Sequence, residues 1–361
     1  MDFEAHAIPR SLLPFRSGVA GGLSWMIGFI AALLWAHIAW AEAPRFVDVT
    51  AAMGLSGELD GKVAWGDINN DGWVDLYTSK LGGYVPQLWL NNNGNSFSRI
   101  PAANLDGMRG LGVWGDYNKD GYLDMFSWQD HATPRLFRNV NGTTFINESS
   151  KLPTFTLPSN MSSLSAAWGD YNGDDYLDIY LGGFTDPFAQ DVLLINNKDG
   201  TFKNAWQSPH FLPGRGMTAA DWDQDGDMDV YVSNYNLALN QLWRNNGSGN
   251  DANLFADAAS SHNALGGNGP GSSGHTIGSV FGDLDNDGLV DLFVGNFAHP
   301  GQPEPKFLRN LGPASDYAFE NKCSECISYQ ESFSSATLGD VDNDGWLDLF
   351  FATIYPGDTA Q

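Results

Sequence analysis

Cysteine, positive charge and long apolar runs are all scarce in this chain: two cysteines, 18 lysines and arginines against 43 acidic residues, and one extended uncharged stretch in 361 residues. The cysteines form C-S-E-C, Cys323 and Cys326. Ile327 stands where a haem-attachment motif needs histidine, zinc would need further ligands nearby, and no βαβ context suggests a redox pair. In an exported chain the pair is expected to close one local disulfide. A net charge of −25 argues against nucleic acid, whose binders carry basic patches. G-x-S-x-G, H-E-x-x-H and phosphate-binding loops are absent as well.

The uncharged run, Val19 to Ala41, follows Arg10 and Arg16 and ends in Ala39-Trp40-Ala41. A basic start, an apolar core and a small-x-small site read as a signal peptide over residues 1–41, with an uncleaved membrane anchor as the alternative. Both readings put residues 42–361 outside the cytoplasm, so that the protein is secreted, displayed at the cell surface or periplasmic. The only membrane contact expected is through that segment.

What the chain has in abundance is aspartate at fixed spacing. Six stretches share one design, beginning at Asp67, Asp116, Asp170, Asp221, Asp283 and Asp340, at intervals of 49, 54, 51, 62 and 57 residues. Periods of this length belong to propeller-like arrays. Oxygen-bearing side chains recur at positions 1, 3, 5 and 9 of each loop, with a turn residue at position 6. Calcium takes six to eight oxygen ligands and favours carboxylates, so each loop reads as a cation cage completed by the backbone carbonyl of position 7. Loop 1 offers Asp67, Asn69, Asp71, Trp73 and Asp75; loop 2 Asp116, Asn118, Asp120, Tyr122 and Asp124; loop 3 Asp170, Asn172, Asp174, Tyr176 and Asp178. Loop 4 offers Asp221, Asp223, Asp225, Asp227 and Asp229; loop 5 Asp283, Asp285, Asp287, Leu289 and Asp291; loop 6 Asp340, Asp342, Asp344, Trp346 and Asp348. Up to six structural Ca²⁺ ions are expected. Glycine fills position 6 except in loop 3, where Asp175 takes its place.

An EF-hand is excluded because position 12, its bidentate glutamate, is here Thr78, Ser127, Leu181, Val232, Val294 or Phe351. Phrases such as V-D-L-Y-T and M-D-V-Y-V follow the loops and read as buried strands. Between loops comes a second phrase, as in L-F-R-N-V-N-G-T-T-F (136–145), whose Asn/Gly turn predicts a hairpin. One strand into the loop, one out and two in the hairpin make a four-stranded blade, hence an all-β propeller.

The acidic loop together with L-x-R-N-x-G-x-x-F resembles the FG-GAP/VCBS repeat family, whose propellers are similar to that of integrin α subunits. The opening R-F-V-D-V-T-A-A-M-G-L (45–55) resembles the cartilage-acidic-protein-like branch that carries an ASPIC/UnbV module. Seven blades are usual in the family. Here residues 45–50 supply a lone outer strand, five units are complete and the sixth stops after two strands, so an incomplete ring truncated at its C-terminus is expected.

Strand direction puts the acidic loops and hairpin turns on one face and the remaining loops on the other. His131, His210, His275 and His299, with His262, fall in the second set beside aromatics such as Trp206, Phe211 and Tyr235. That face is the expected site for an extracellular glycan or protein ligand. An adhesion or binding module is therefore the first reading of function, and an extracellular polysaccharide lyase or hydrolase using a histidine or tyrosine base is the alternative.

Overall fold

The acidic loops reverse the chain between strands, as the apolar runs on either side predict. The computed structural model describes residues 47–353, except 56–61, 80–85, 102–107, 109, 129–132, 155–160, 186–189, 248–253, 268–271, 297–302 and 323–332. The signal segment, both cysteines, His131 and His299 lie outside the described residues.

Six antiparallel sheets follow one another along the chain. The first contains β1 (Lys62–Gly66), β2 (Asp75–Ser79), β3 (Gln87–Asn91) and β4 (Phe97–Arg99). The second contains β5 (Leu111–Gly115), β6 (Asp124–Trp128), β7 (Arg135–Asn139) and β8 (Phe145–Asn147); the third β9 (Met161–Gly169), β10 (Asp178–Thr185), β11 (Val192–Asn196) and β12 (Phe202–Gln207). In the fourth are β13 (Gly214–Ala220), β14 (Asp229–Asn234), β15 (Gln241–Asn245) and β16 (Phe255–Asp257), and in the fifth β17 (Thr276–Gly282), β18 (Asp291–Asn296), β19 (Lys306–Asn310) and β20 (Phe319–Asn321). The sixth has β21 (Phe333–Gly339) and β22 (Asp348–Thr353). Within the first five, strands pair in chain order, and each acidic loop joins the first two. These are propeller blades, and their first strands lie side by side from β1 through β5, β9, β13 and β17 to β21.

Apolar alternation explains how the blades stack. Successive residues of a strand point to opposite faces, so the second strand of each of blades 2 to 5 feeds two cores. Met125 packs toward blade 1 with Tyr77, Leu88 and Phe137, while Phe126 packs toward blade 3 with Ile179, Leu181 and Val192. Tyr180 and Leu193 then join Val230, Val232 and Trp243, Tyr231 and Leu242 join Leu292 and Leu308, and Phe293 and Phe307 join Leu349. Five cores thus fill the five junctions between consecutive blades. At about 25 cal/mol per Å² of apolar surface removed from water, this layering is the main source of stability.

The W-G-D triplet has a packing role of its own. The indole of Trp114 lies against Gly66 of the preceding blade, and that of Trp168 against Gly115, where a Cβ would stand 2.9 Å and 2.8 Å from the ring. Any larger residue would push the blades apart.

The expected outer strand at 45–50 has no strand partner among the described residues, and Val47 and Val49 are exposed. Its continuation nevertheless matches the exit from blade 4 in three backbone bonds. Met53 N–H donates to Val49 O and Leu55 N–H to Thr50 O, as His262 N–H does to Ala258 O and Ala264 N–H to Ala259 O. Phe97 N–H donates to Met53 O as Phe319 N–H does to His262 O, so this turn docks on blade 1 as its counterpart docks on blade 5.

Candidate functional site

The acidic loops owe their shape to backbone donors gathered by their own carboxylates. In every loop the position-1 aspartate accepts the N–H groups of positions 5 and 6; in loop 1, Asp71 N–H to Asp67 Oδ1 is 3.1 Å and Gly72 N–H to Asp67 Oδ2 is 2.8 Å. The position-5 aspartate accepts the N–H of position 7, as Trp73 N–H does to Asp71 Oδ1 at 2.9 Å. Two residues per loop adopt the left-handed conformation, not one. Besides position 6, position 4 has positive φ throughout: Asn70, Lys119, Gly173, Gln224, Asn286 and Asn343. Asp175 sits at φ 68°, so the glycine of loop 3 has been placed at position 4 instead of 6.

Position 4 has a purpose that the spacing of acids does not disclose. Its side chain reaches the neighbouring loop: Asn70 Nδ2 donates to Gly121 O at 2.7 Å, Gln224 Nε2 to Gly288 O at 2.7 Å and Asn286 Nδ2 to Gly345 O at 2.9 Å. Lys119 instead places its ammonium 4.2 Å from the centroid of the Tyr176 ring. Gly173 has no side chain to offer.

Position 9 binds the loop to the hairpin. Asp75, Asp124, Asp178, Asp229 and Asp291 are buried, and one oxygen of each accepts the backbone N–H of the last residue of the third strand at 2.7–2.8 Å. Loss of hydration pushes Asp124 and Asp229 up to about 8, Asp178 to about 7 and Asp291 to about 6, against the backbone donors that favour the charge. These third-strand residues are the asparagines of the repeated phrase. Their side-chain amides donate to the carbonyl of position 2 in the preceding blade: Asn139 to Ile68 at 2.8 Å, Asn196 to Tyr117 at 2.8 Å, Asn245 to Tyr171 at 2.7 Å and Asn310 to Trp222 at 2.8 Å.

Three loops bring at least three carboxylate oxygens within 4.8 Å of one another, through Asp221, Asp223 and Asp225, through Asp283, Asp285 and Asp291, and through Asp340, Asp342 and Asp344. The side chains of Asp223 and Asp285 are only 0% and 5% exposed, and Oδ1 of each is buried without a well-aligned donor among the described residues. A carboxylate oxygen held out of water with no partner is costly, and a hard cation removes that cost. The donor set therefore fits calcium. Trp73 and Trp346 are 42% and 41% exposed, which suits position 7 as a carbonyl donor only.

Opposite the loops, the structure separates the expected histidines. His210 is exposed and lies parallel to Trp243, ring centroids 6.2 Å apart, and Trp243 packs edge-on against Trp206 at 5.0 Å. A shallow groove beside them is lined by Asn204, Ala205, Trp206 and Gln207 of β12. His275 packs on Tyr235 at 4.6 Å, and the Arg215 guanidinium stands 4.6 Å from the same tyrosine ring. His262 belongs elsewhere: it is buried against Trp222 of loop 4 at 5.0 Å, with Nε2 3.5 Å from Asp316 in the β19–β20 turn, on the acidic-loop side. The long blade 4–5 connection carries it back between the blades, which loop order alone does not reveal.

FG-GAP-like repeats match residues 67–127, 116–181, 184–232 and 221–294, in register with the acidic loops. The chain belongs to the FG-GAP-like repeat family. Among curated proteins none matches it. Of the solved structures, one describing specific recognition of non-reducing terminal N-acetylglucosamine by an Agrocybe aegerita lectin aligns with TM-score 0.51 and 19% identity, covering 82% of this chain and 76% of that one. BBS1N in complex with ARL6DN aligns at TM-score 0.39 and 10% identity over 82% of this chain and 92% of that one. The lectin likeness is one of fold alone.

Proposed function

We propose that this FG-GAP protein is an exported binding module for glycans or protein glycoconjugates, that calcium in its acidic loops is structural, and that ligands dock on the side away from those loops. The observation that carries the ligand reading is the groove of β12. Asn204 and Gln207 are exposed amides flanking Trp206, whose ring is buried against Trp243, and exposed His210, stacked over Trp243, and exposed Phe211 supply the ring surface beside them. Amide donors and acceptors next to aromatic carbon are what a sugar requires, since its hydroxyl edge needs hydrogen bonds and its C–H face an apolar surface. Six similar loops, one per blade, suit an ion that fastens strands more than one that catalyses, which would need an open coordination position in a single cleft. The signal-like N-terminal segment supports export to a compartment rich in calcium.

Because the lectin of similar fold recognises terminal N-acetylglucosamine, oligosaccharides ending in that sugar are the first probes, followed by a general glycan array, all in calcium. Binding that is weakened by Asn204→Ala with Gln207→Ala, at unchanged melting temperature, supports the groove. Absence of binding to any glycan, with folded calcium-loaded protein, would remove the glycan reading.

A second reading, polysaccharide cleavage, is favoured by one observation: Arg215, Tyr235 and His275 bring a guanidinium, a phenol and an imidazole together in half-buried positions. Such groups can neutralise a uronate carboxylate and move its neighbouring proton. Appearance of unsaturated products from uronate polymers, lost in Tyr235→Phe, would establish it.

A further inference from the structure

The FG-GAP loops differ at position 3, which is Asn69, Asn118 and Asn172 in loops 1 to 3 but Asp223, Asp285 and Asp342 in loops 4 to 6. The exchange removes a donor and adds a charge. In the first three loops the asparagine amide donates to the position-5 carboxylate: Asn69 to Asp71 Oδ2 at 3.0 Å, Asn118 to Asp120 Oδ2 at 3.1 Å and Asn172 to Asp174 Oδ2 at 3.0 Å. Ionised aspartate has no proton to give.

In loops 4 and 5 an arginine from the third strand supplies what is missing. Arg309 on β19 has Nε 2.7 Å from Asp285 Oδ2 and donates through Nη2 to Asp287 Oδ2 at 2.8 Å. On β15, Arg244 has Nε 2.5 Å from Asp223 Oδ2 and Nη2 4.0 Å from Asp225 Oδ2. At the same strand position the asparagine loops have Leu90, Arg138 and Ile195. Arg138 turns away from its loop to Glu148, 3.2 Å distant, so the guanidinium enters only where the extra carboxylate is. With the arginines counted, the side-chain donors of loops 1, 4 and 5 carry the same net charge, three aspartates in the first and four aspartates plus one arginine in each of the others.

We infer that loops 4 and 5 form a second class of cation cage, in which Arg244 and Arg309 are built-in counter-ions and positioning residues. Each guanidinium holds one oxygen of Asp223 or Asp285, leaving the buried Oδ1 for a divalent hard cation, and keeps the cage from being over-charged when no ion is bound. The inference rests on the calcium reading of the loops.

The test is a double-mutant cycle on the full chain, with bound calcium counted by native mass spectrometry over a chelator-buffered series and melting measured in chelator. Asp223→Asn alone leaves Arg244 beside a weakened cage and should lower affinity at that site about tenfold. Asp223→Asn with Arg244→Leu recreates the pattern of loop 1 and should recover most of that loss, whereas Arg244→Leu alone should lower the melting temperature in chelator by several degrees and far less in calcium. Asp285→Asn and Arg309→Leu repeat the cycle independently in loop 5. A double variant that binds no better than Asp223→Asn, in both loops, overturns the counter-ion role. Wild-type protein that takes up no calcium overturns the reading beneath it, and the two failures are distinguishable because only the second empties the unmutated chain.

Discussion

The side-chain amide of Asn310 donates to the carbonyl of Trp222, 2.8 Å away and 88 residues earlier in the chain. The same amide donates to Val290 O at 3.1 Å, and its oxygen accepts Gly312 N–H at 3.0 Å, so one buried residue joins a strand, a turn and the neighbouring blade. Asn310→Ala leaves the Trp222 and Val290 carbonyls without this donor and should cost about 2–4 kcal/mol. Among the described residues the Asn91 side chain bonds only within its own blade, to Val74 O and from Gly94 N–H, and Asn91→Ala should cost less. Denaturant melts of the two variants compare them directly; equal losses would mean that the inter-blade bond contributes nothing.

Calcium removal should lower the melting temperature substantially, because an ion bound only to the folded state stabilises by mass action. Within that experiment Asp287→Ala should weaken its loop, since it removes a proposed ligand and the acceptor of Leu289 N–H and Arg309. Asp175→Gly should be neutral or stabilising by up to about 1 kcal/mol, because Asp175 holds φ 68° with no ligand role. A melting temperature indifferent to chelator would end the structural-ion reading.

The pH dependence should change sign with the ion. Burial raises Asp75, Asp124, Asp178, Asp229 and Asp291 above the ordinary carboxylate value of 3.8, with Asp124 and Asp229 near 8. Without metal, the folded protein holds protons there that the unfolded chain has already released, so stability is greatest at low pH in this window and falls as pH rises from about 4 to about 8. A bound cation favours the ionised form and should flatten or reverse the trend. Melting temperatures between about pH 5 and 8, in chelator and in calcium, read this out; a flat profile in chelator contradicts it.

Gly173 is the gap in the line of contacts between neighbouring loops. A Cβ there meets nothing within 4 Å, and asparagine tolerates its φ of 68°. Gly173→Asn should add a bond to the Gly226 carbonyl of the kind Asn70 makes to Gly121 and raise stability by about 0.5–1 kcal/mol. An unchanged or lower melting temperature would show that the third and fourth loops are not spaced for it.

The strands and blades could be read from the sequence because their signals are local. Each loop carries its own aspartates and turn residue, each hairpin its own Asn/Gly pair, and strand alternation repeats within five residues. Relations that span blades left weaker traces. Position 4 is Asn, Lys, Gly, Gln, Asn and Asn, so its shared left-handed backbone has no shared residue, though the asparagines could have hinted at it. The clasp asparagine is a repeated letter that the sequence places in a turn, and its inter-blade role is hidden because its partner lies 71 to 88 residues away. Arg244 and Arg309 sit within apolar strand phrases, and only the fold sets them beside Asp223 and Asp285. His262 was misplaced for the same reason: a long connection can re-enter the structure, and counting strands does not say where.

The clasps also have a direction. Asn139, Asn196, Asn245 and Asn310 all reach backwards, to the blade made before their own. A blade emerging from the ribosome can close its own sheet at once, but it is fastened only when its successor has folded and turned an amide toward it. Synthesis in chain order thus advances by locking the previous unit, never the current one. Fraying runs the other way: unfolding of the fifth blade releases the Asn310 fastening alone and leaves those of Asn245, Asn196 and Asn139 intact.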